Sequence, residues 1–353
     1  MAGNASEPAH ARETIWVPLR LHGVARAGRH TVGMLHLRIL SPTDLTDDAV
    51  RILEDEEGVS GLAVVRGAAI RPDGDLVYAD LARETANDVV AKLRATGLHH
   101  RGSIELDPIH TWLSRSGFDA ELRAPGSSAD TVVWAEVAQR SYEDVELNWT
   151  YLSFMTMATL LAGIAIITDS QILVIGAMVL GPEFGAIAAL GVALVKRRVV
   201  LLATAVRTLV VGFVVAIAAT ALAAVAGRLL GWVTYEDVTG PRPETAFIYS
   251  PDKWSFIVAV IAAAAGVLSL TSSKLGGLSG VFISVTTVPA AGNVGLGIAF
   301  GAGNEIWGST LQLVLNLSGM ALAGWATLAI QQAVWSRVSV RRATALDRRR
   351  RML

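Results

Sequence analysis

Two patterns of apolar and polar positions divide the chain near residue 149. Before it, short alternating or helically spaced stretches lie among many charges; after it, long apolar runs follow one another with brief polar breaks. In the first part Leu35, Leu37 and Ile39 alternate with polar residues from Met34 onward, which predicts a strand, and Asp44 to Glu54 after Ser41-Pro42 predicts a helix. Val59 to Val65 and Asp75 to Leu81 read as strands joined through the turn sequence Arg71-Pro72-Asp73-Gly74. Within Glu84 to Ala95 the residues Ala86, Val89, Val90 and Leu93 share one helical face, Gly97 supplies a stop, and Ser103 to Leu106 reads as a last strand. The order βαββαβ predicts a ferredoxin-like α+β soluble domain over residues 32–108. Residues 1–31 are rich in Ala, Gly, Arg and His and predict a mobile arm with one short strand near Thr14 to Leu19.

Residues 109–149 read as a linker ending in an amphipathic helix. Its apolar stripe runs through Trp134, Val137, Ser141 and Val145, and Trp149 follows, so the helix is expected along the cytoplasmic headgroups or as a plain connection.

A bilayer crossing needs about 20 apolar residues. Six segments of the 150–335 region qualify: 151–168, 171–195, 199–231, 254–273, 276–300 and 306–334. Trp232, Trp254, Trp307 and Trp335 fall at their ends, where an amphipathic ring prefers the interface. Composition agrees, with 52% hydrophobic residues, 17% charged residues and a mean hydropathy of +0.47. With both termini inside, inner segments and the basic tail at 336–353 hold eleven Lys and Arg against two outside, Arg242 and Lys253. That asymmetry, and no apolar signal-like run in the first 30 residues, predicts a multi-pass inner (plasma) membrane protein with cytoplasmic N- and C-termini. The absence of cysteine excludes disulfides and thiolate metal sites.

Two stretches, from Gly163 and from Gly266, repeat the same plan: an apolar helix, a Thr-x-Ser punctuation, a glycine-rich helix broken by Pro182 or Pro289, and a third long helix. Three crossings per half oblige the second half to run oppositely, an inverted repeat. Proline frees a backbone carbonyl, and such a break at membrane depth is tolerated where protein or a water-filled cavity covers it. Glycines crowd both breaks, and close helix packing explains them as readily as a functional site. Gly181, Pro182 and the intramembrane carboxylate Glu183 mark the first break; Thr286, Thr287, Pro289 and Asn293 mark the second; Asn316 lies in the last span. Glu183 requires a partner or a proton at that depth; Arg207 is the obvious candidate, though its side chain is equally placed to snorkel to the headgroups. These residues are predicted to line a polar cavity on a substrate or ion path.

From Met34 to Trp335 the chain resembles a bacterial and archaeal membrane family known as an uncharacterised hydrophobic domain, one of the domain-of-unknown-function families. The resemblance is carried by Ile175-Gly176-Ala177-Met178 with Gly181-Pro182, by Val288-Pro289-Ala290-Ala291-Gly292, and by Asn316. The chain departs from the family pattern at Glu183, where an apolar residue is usual, and at Ala290, where a second proline is usual. The resemblance implies a membrane protein with an N-terminal cytoplasmic domain and brings no established activity.

The reading is a transporter or channel for a small solute or ion, with the soluble domain regulating or assembling it. The alternative is a membrane-anchored oligomeric sensor or scaffold, and either way a homo-oligomer in the bilayer is expected. An enzyme is not: Gly277-Leu278-Ser279-Gly280 resembles a serine-nucleophile signature, but no histidine follows His110 to act as base. No cofactor is expected, since no phosphate loop or dinucleotide fingerprint occurs. No metal is expected either, as His99-His100 has no third ligand at a suitable spacing. The Arg348 to Arg351 tail reads as an orientation signal touching anionic lipid, with no nucleic-acid partner.

Overall fold

The structure is a computed structural model; it describes residues 33–109, 114–124, 131–249, 253–271 and 287–350, with side chains as far as Val334 apart from Ser255. The expected arm and its strand near Thr14, the Gly277 to Gly280 signature and Thr286 lie outside the described residues.

The N-terminal part is a small antiparallel sheet with helices. Its elements run β1 (Met34–Ser41), α1 (Thr43–Glu54), β2 (Val59–Ile70), β3 (Asp73–Ala82), α2 (Ala86–Ala95), α3 (Leu98–Arg101) and β4 (Ser103–Ile109). The strands lie in the order β2-β3-β1-β4, every neighbouring pair antiparallel. The alternation read from the sequence puts Leu35, Leu37 and Ile39 on one face of β1, where they pack with Ala49 and Leu53 of α1 and Val89 and Leu93 of α2. The β2–β3 hairpin is longer than expected because pairing continues past Val65 to a tight turn between Ile70 and Asp73. His99 and His100 stand on the single-turn helix α3 rather than on a strand or loop, because Gly97 takes a left-handed φ of 78° and lets the chain coil again directly after α2.

Next come α4 (Arg115–Arg123) and α5 (Trp134–Asp144), followed by the apolar helices α6 (Trp149–Ile167), α7 (Gln171–Leu180), α8 (Glu183–Lys196) and α9 (Val199–Leu229). After the short α10 (Tyr235–Thr239) the chain continues with α11 (Lys253–Thr271), α12 (Thr287–Phe300) and α13 (Gly303–Arg350). Among the described residues 3 helices, α6, α9 and Gly303–Val334 of α13, are long and apolar enough to cross a membrane; α7 and α8, bent by 56° at their break, make up to 4. The six expected segments are thus met by fewer full-length helices. Phe256–Thr271 and Thr287–Phe300 are shorter apolar pieces, and the segment expected at 276–300 starts as a described helix only at Thr287.

Side-chain pairs fix how these helices run. Tyr151 lies against Gly212, Thr159 donates to the Ala216 carbonyl, and Gly163 lies against Thr220, so α6 and α9 advance together and are parallel. Phe256 lies against Gly319, Val267 against Gly324, and Thr271 bonds Gln331, so α11 and α13 are parallel as well. The α12 helix runs with α9, since Gly295 meets Thr220 and the Ala299 carbonyl meets Arg228. It runs against α13, since Asn293 bonds Ser309 and Gly297 meets Ile306. The pair α11 and α13 is therefore oriented opposite to the pair α6 and α9. The helices α8 and α12 both end at a left-handed residue, Arg197 (φ 52°) and Gly301 (φ 68°), before the long helix begins.

The α5 helix packs its apolar stripe on α8, as a connecting helix does. Its stripe of Val137, Ser141 and Val145 is buried, with Val137 and Val145 in one cluster with Ala186, Ala189 and Val192 of α8. Trp134 sits under Lys196 Nζ at 3.5 Å, Asp144 abuts Gly185, and Thr208 of α9 donates to the Val145 carbonyl at 2.6 Å. The two helices are antiparallel along most of their length, so the stripe faces protein. The same helix is tied to the sheet domain: Arg83 reaches Glu136 at 2.7 Å, and Asn87 accepts from the Trp134 amide and donates to the Val132 carbonyl.

Candidate functional site

The break between α7 and α8 follows from its sequence. Gly181 leaves the helix in an extended conformation (φ −66°, ψ 123°), and Pro182, lacking an N–H, takes the N-cap of α8 (φ −89°, ψ 3°). Glu183 is then the first residue of α8, where the orphan amides and the helix dipole favour a negative side chain. Pro289 lies on α12, two positions after Thr287, the first described residue of that helix.

The start of α8 meets α12. Thr287 Oγ1 donates to Glu183 Oε1 at 2.7 Å, and both residues are 0% exposed. Burying a carboxylate costs several kcal/mol, which a helix N-terminus (up to about 2 kcal/mol) and a hydrogen bond to a charged group (about 1.5–3 kcal/mol) offset to the same order. Tyr151 of α6, itself buried, feels the charge of Glu183, and its hydroxyl has no hydrogen-bond partner among the described residues. At the other side Asp144 faces Gly185: a Cβ there would lie 2.7 Å from the Asp144 carboxyl carbon. Although Asp144 as a whole is exposed, the burial of its carboxyl against α8, helped by neighbouring Glu143, raises its pKa.

Around this contact α12 is enclosed, with every residue from Thr287 to Gly297 buried. Gly292 permits the closest approach, since a Cβ there would stand 3.0 Å from the Thr159 carbonyl and from the Ala162 side chain of α6.

Residues 178–322 match the family model DUF389, a domain of unknown function. The DUF389 region takes in the α7–α8 break, Glu183, all of α12 and Asn316, and leaves out the sheet domain. No curated protein and no solved structure matches the chain.

Of the expected site residues, Glu183 and Thr287 are brought together by their hydrogen bond; Gly181 and Pro182 form the break just before Glu183, and Pro289 follows Thr287 on α12. Arg207 does not join them. It is exposed on α9, and the bond that meets Glu183 comes from Thr287 instead. Asn293 belongs to a different cluster: it accepts from Arg242 Nη1 at 3.2 Å and donates to Glu305 at 2.7 Å and Ser309 at 2.8 Å. Asn316 is buried at 1% exposure on α13. Arg242, counted from the sequence as an outer orienting charge, is 5% exposed and bonded to Glu305 at 2.9 Å. The signal for this second cluster was in the sequence: Glu305, Ser309, Gln312 and Asn316 recur on one helical face of an otherwise apolar segment. Among the described residues no group of three or more His, Cys, Asp or Glu is placed to hold a metal ion.

Proposed function

We propose that the chain is a polytopic membrane protein of six crossings in two inverted three-helix halves, which passes a small solute or ion near Glu183, and that its N-terminal domain is ferredoxin-like and regulates or assembles it. The membrane reading is supported by the outward faces of the long helices. On α9, Val206, Val210, Val214, Leu222 and Leu229 are exposed at 46% to 83%, a continuous apolar surface that water does not support. Exposed Trp149, Trp232, Trp254 and Trp307 stand at helix ends, as interfacial rings do. The opposed helix pairs support the inverted repeat. The strand order supports the ferredoxin-like assignment. Withdrawing Arg242 from the outer count sharpens the basic asymmetry that favours cytoplasmic termini in the inner membrane.

The observation that carries the transport reading is the Glu183–Thr287 bond, which joins the start of α8 in one half to α12 in the other. A broken helix whose N-terminus carries a polar group at depth is how secondary transporters build a central site. Reconstitution in liposomes with a panel of ions and small solutes tests it: the intact chain gives flux and Glu183→Gln loses it. An anchored oligomeric scaffold is the second reading, favoured by the burial of α12 from Thr287 to Gly297, and it predicts no flux across the panel.

A further inference from the structure

A second line of buried polar groups runs along α13, apart from Glu183. Ser309, Gln312 and Asn316 are 0%, 1% and 1% exposed, on one face with Glu305. One end of the line is closed by Arg242, which bonds Glu305 and Asn293 and lies 4.8 Å from the Tyr249 ring. Further along, the pattern changes. Arg242 Nε, Gln312 Nε2 and Asn316 Nδ2 are buried with no hydrogen-bond partner among the described residues.

The other end of the line is fixed by helix register. The α8 helix turns back on α9 through Arg197 and Arg198, and α13 runs against α9, so α8 and α13 are parallel. Gly191 packs on Gly324, and stepping back two turns on each helix brings Glu183 level with Asn316. The polar face of α13 therefore leads from the Arg242–Glu305 pair to the depth of the Glu183–Thr287 contact.

A structural polar network satisfies its members, whereas successive buried donors without acceptors are what the wall of a water-lined passage presents. We infer that this face of α13 is the wall of a hydrated passage, that the Arg242–Glu305 pair is its gate, and that it admits a small hydrophilic solute able to accept hydrogen bonds. The inference rests on the membrane reading above and adds the route, the gate and the chemistry of the occupant.

The chain contains no cysteine, so single-cysteine variants carry no background. Gln312→Cys and Asn316→Cys are compared in proteoliposomes with Leu313→Cys, on the buried apolar side, and Val314→Cys, on the exposed apolar side, using a small charged methanethiosulfonate reagent. A thiol away from water stays protonated and inert, so the two passage positions are expected to react at least ~10-fold faster than the controls. Removing both gate charges with Arg242→Gln and Glu305→Gln together, which leaves no unpaired buried ion, raises the rate at position 312 further. Passage cysteines as slow as the Leu313→Cys control, with the gate intact and with it removed, overturn the inference. Reactive cysteines without solute flux keep the passage and sink only the transport reading; flux with inert cysteines sends the solute by another route and sinks the passage.

Discussion

Thr287 and Glu183 are 104 positions apart, and the hydroxyl of one donates to the buried carboxylate of the other at 2.7 Å. The bond joins α12 to the first residue of α8, so it reports whether the two halves are docked. Thr287→Val removes the donor and is expected to lower stability by about 1.5–3 kcal/mol. Glu183→Gln keeps an acceptor oxygen in place and is expected to cost clearly less while abolishing flux. Thermal unfolding in detergent alongside liposome flux separates the two; equal destabilisation by both variants would make the carboxylate a packing group.

Gly292 tests the packing of α12 against α6. Because an added side chain meets backbone atoms of α6 at about 3 Å, Gly292→Val is expected to force the helices apart and cost about 1–3 kcal/mol. A melting temperature equal to that of the unaltered chain would show that the approach is not tight.

The α5 helix connects the sheet domain to α8 through Arg83–Glu136 on one side and Trp134–Lys196 on the other. Trp134→Ala removes a cation–π contact of about 0.5–2 kcal/mol and part of an apolar face. Amide hydrogen exchange in α5 is expected to speed up about tenfold, with the sheet domain unaffected. Unchanged exchange in α5 would remove the latch from the account.

Asp75 supplies a pH test within the sheet domain. The Gly67 amide at 2.8 Å, with Thr46 and Arg66, holds its pKa below the ordinary 3.8. A depressed carboxylate contributes stability that is present above its unfolded value and lost as pH falls through the folded value. Asp75→Asn is therefore expected to be less stable than the natural chain at pH 6, with the gap narrowing below about pH 4. A gap that stays constant down to pH 3 would show that the charge of Asp75 is not the stabilising feature.

Much of this was legible in the sequence for physical reasons. Alternation in β1 and helical spacing in α2 are local properties, so strand and helix order followed from them, and Gly181-Pro182 breaks a helix whatever surrounds it. Partners across long separations were not legible. Nothing local distinguishes Thr287 from Arg207 as the group facing Glu183, and Arg207 turns outward because α9 presents that side away from the core. Arg242 was misread for a related reason: a charge in a connecting segment counts towards orientation only if it stays in water, and Glu305 and Asn293 draw it into the protein. The stripe of α5 was legible as an apolar face, but periodicity does not say whether lipid or α8 covers it.

The central claim is that the halves run oppositely across a bilayer, and the sidedness of two equivalent turns tests it most directly. Arg198 lies in the turn between α8 and α9, and Asn304 lies in the first turn of α13, just after α12 ends. Single cysteines at the two positions, probed in intact cells with a membrane-impermeant maleimide, are predicted to behave differently: Asn304→Cys labels at once, and Arg198→Cys labels only after the membrane is opened. Labelling of both from the same side would contradict the inverted arrangement and the transport reading built on it.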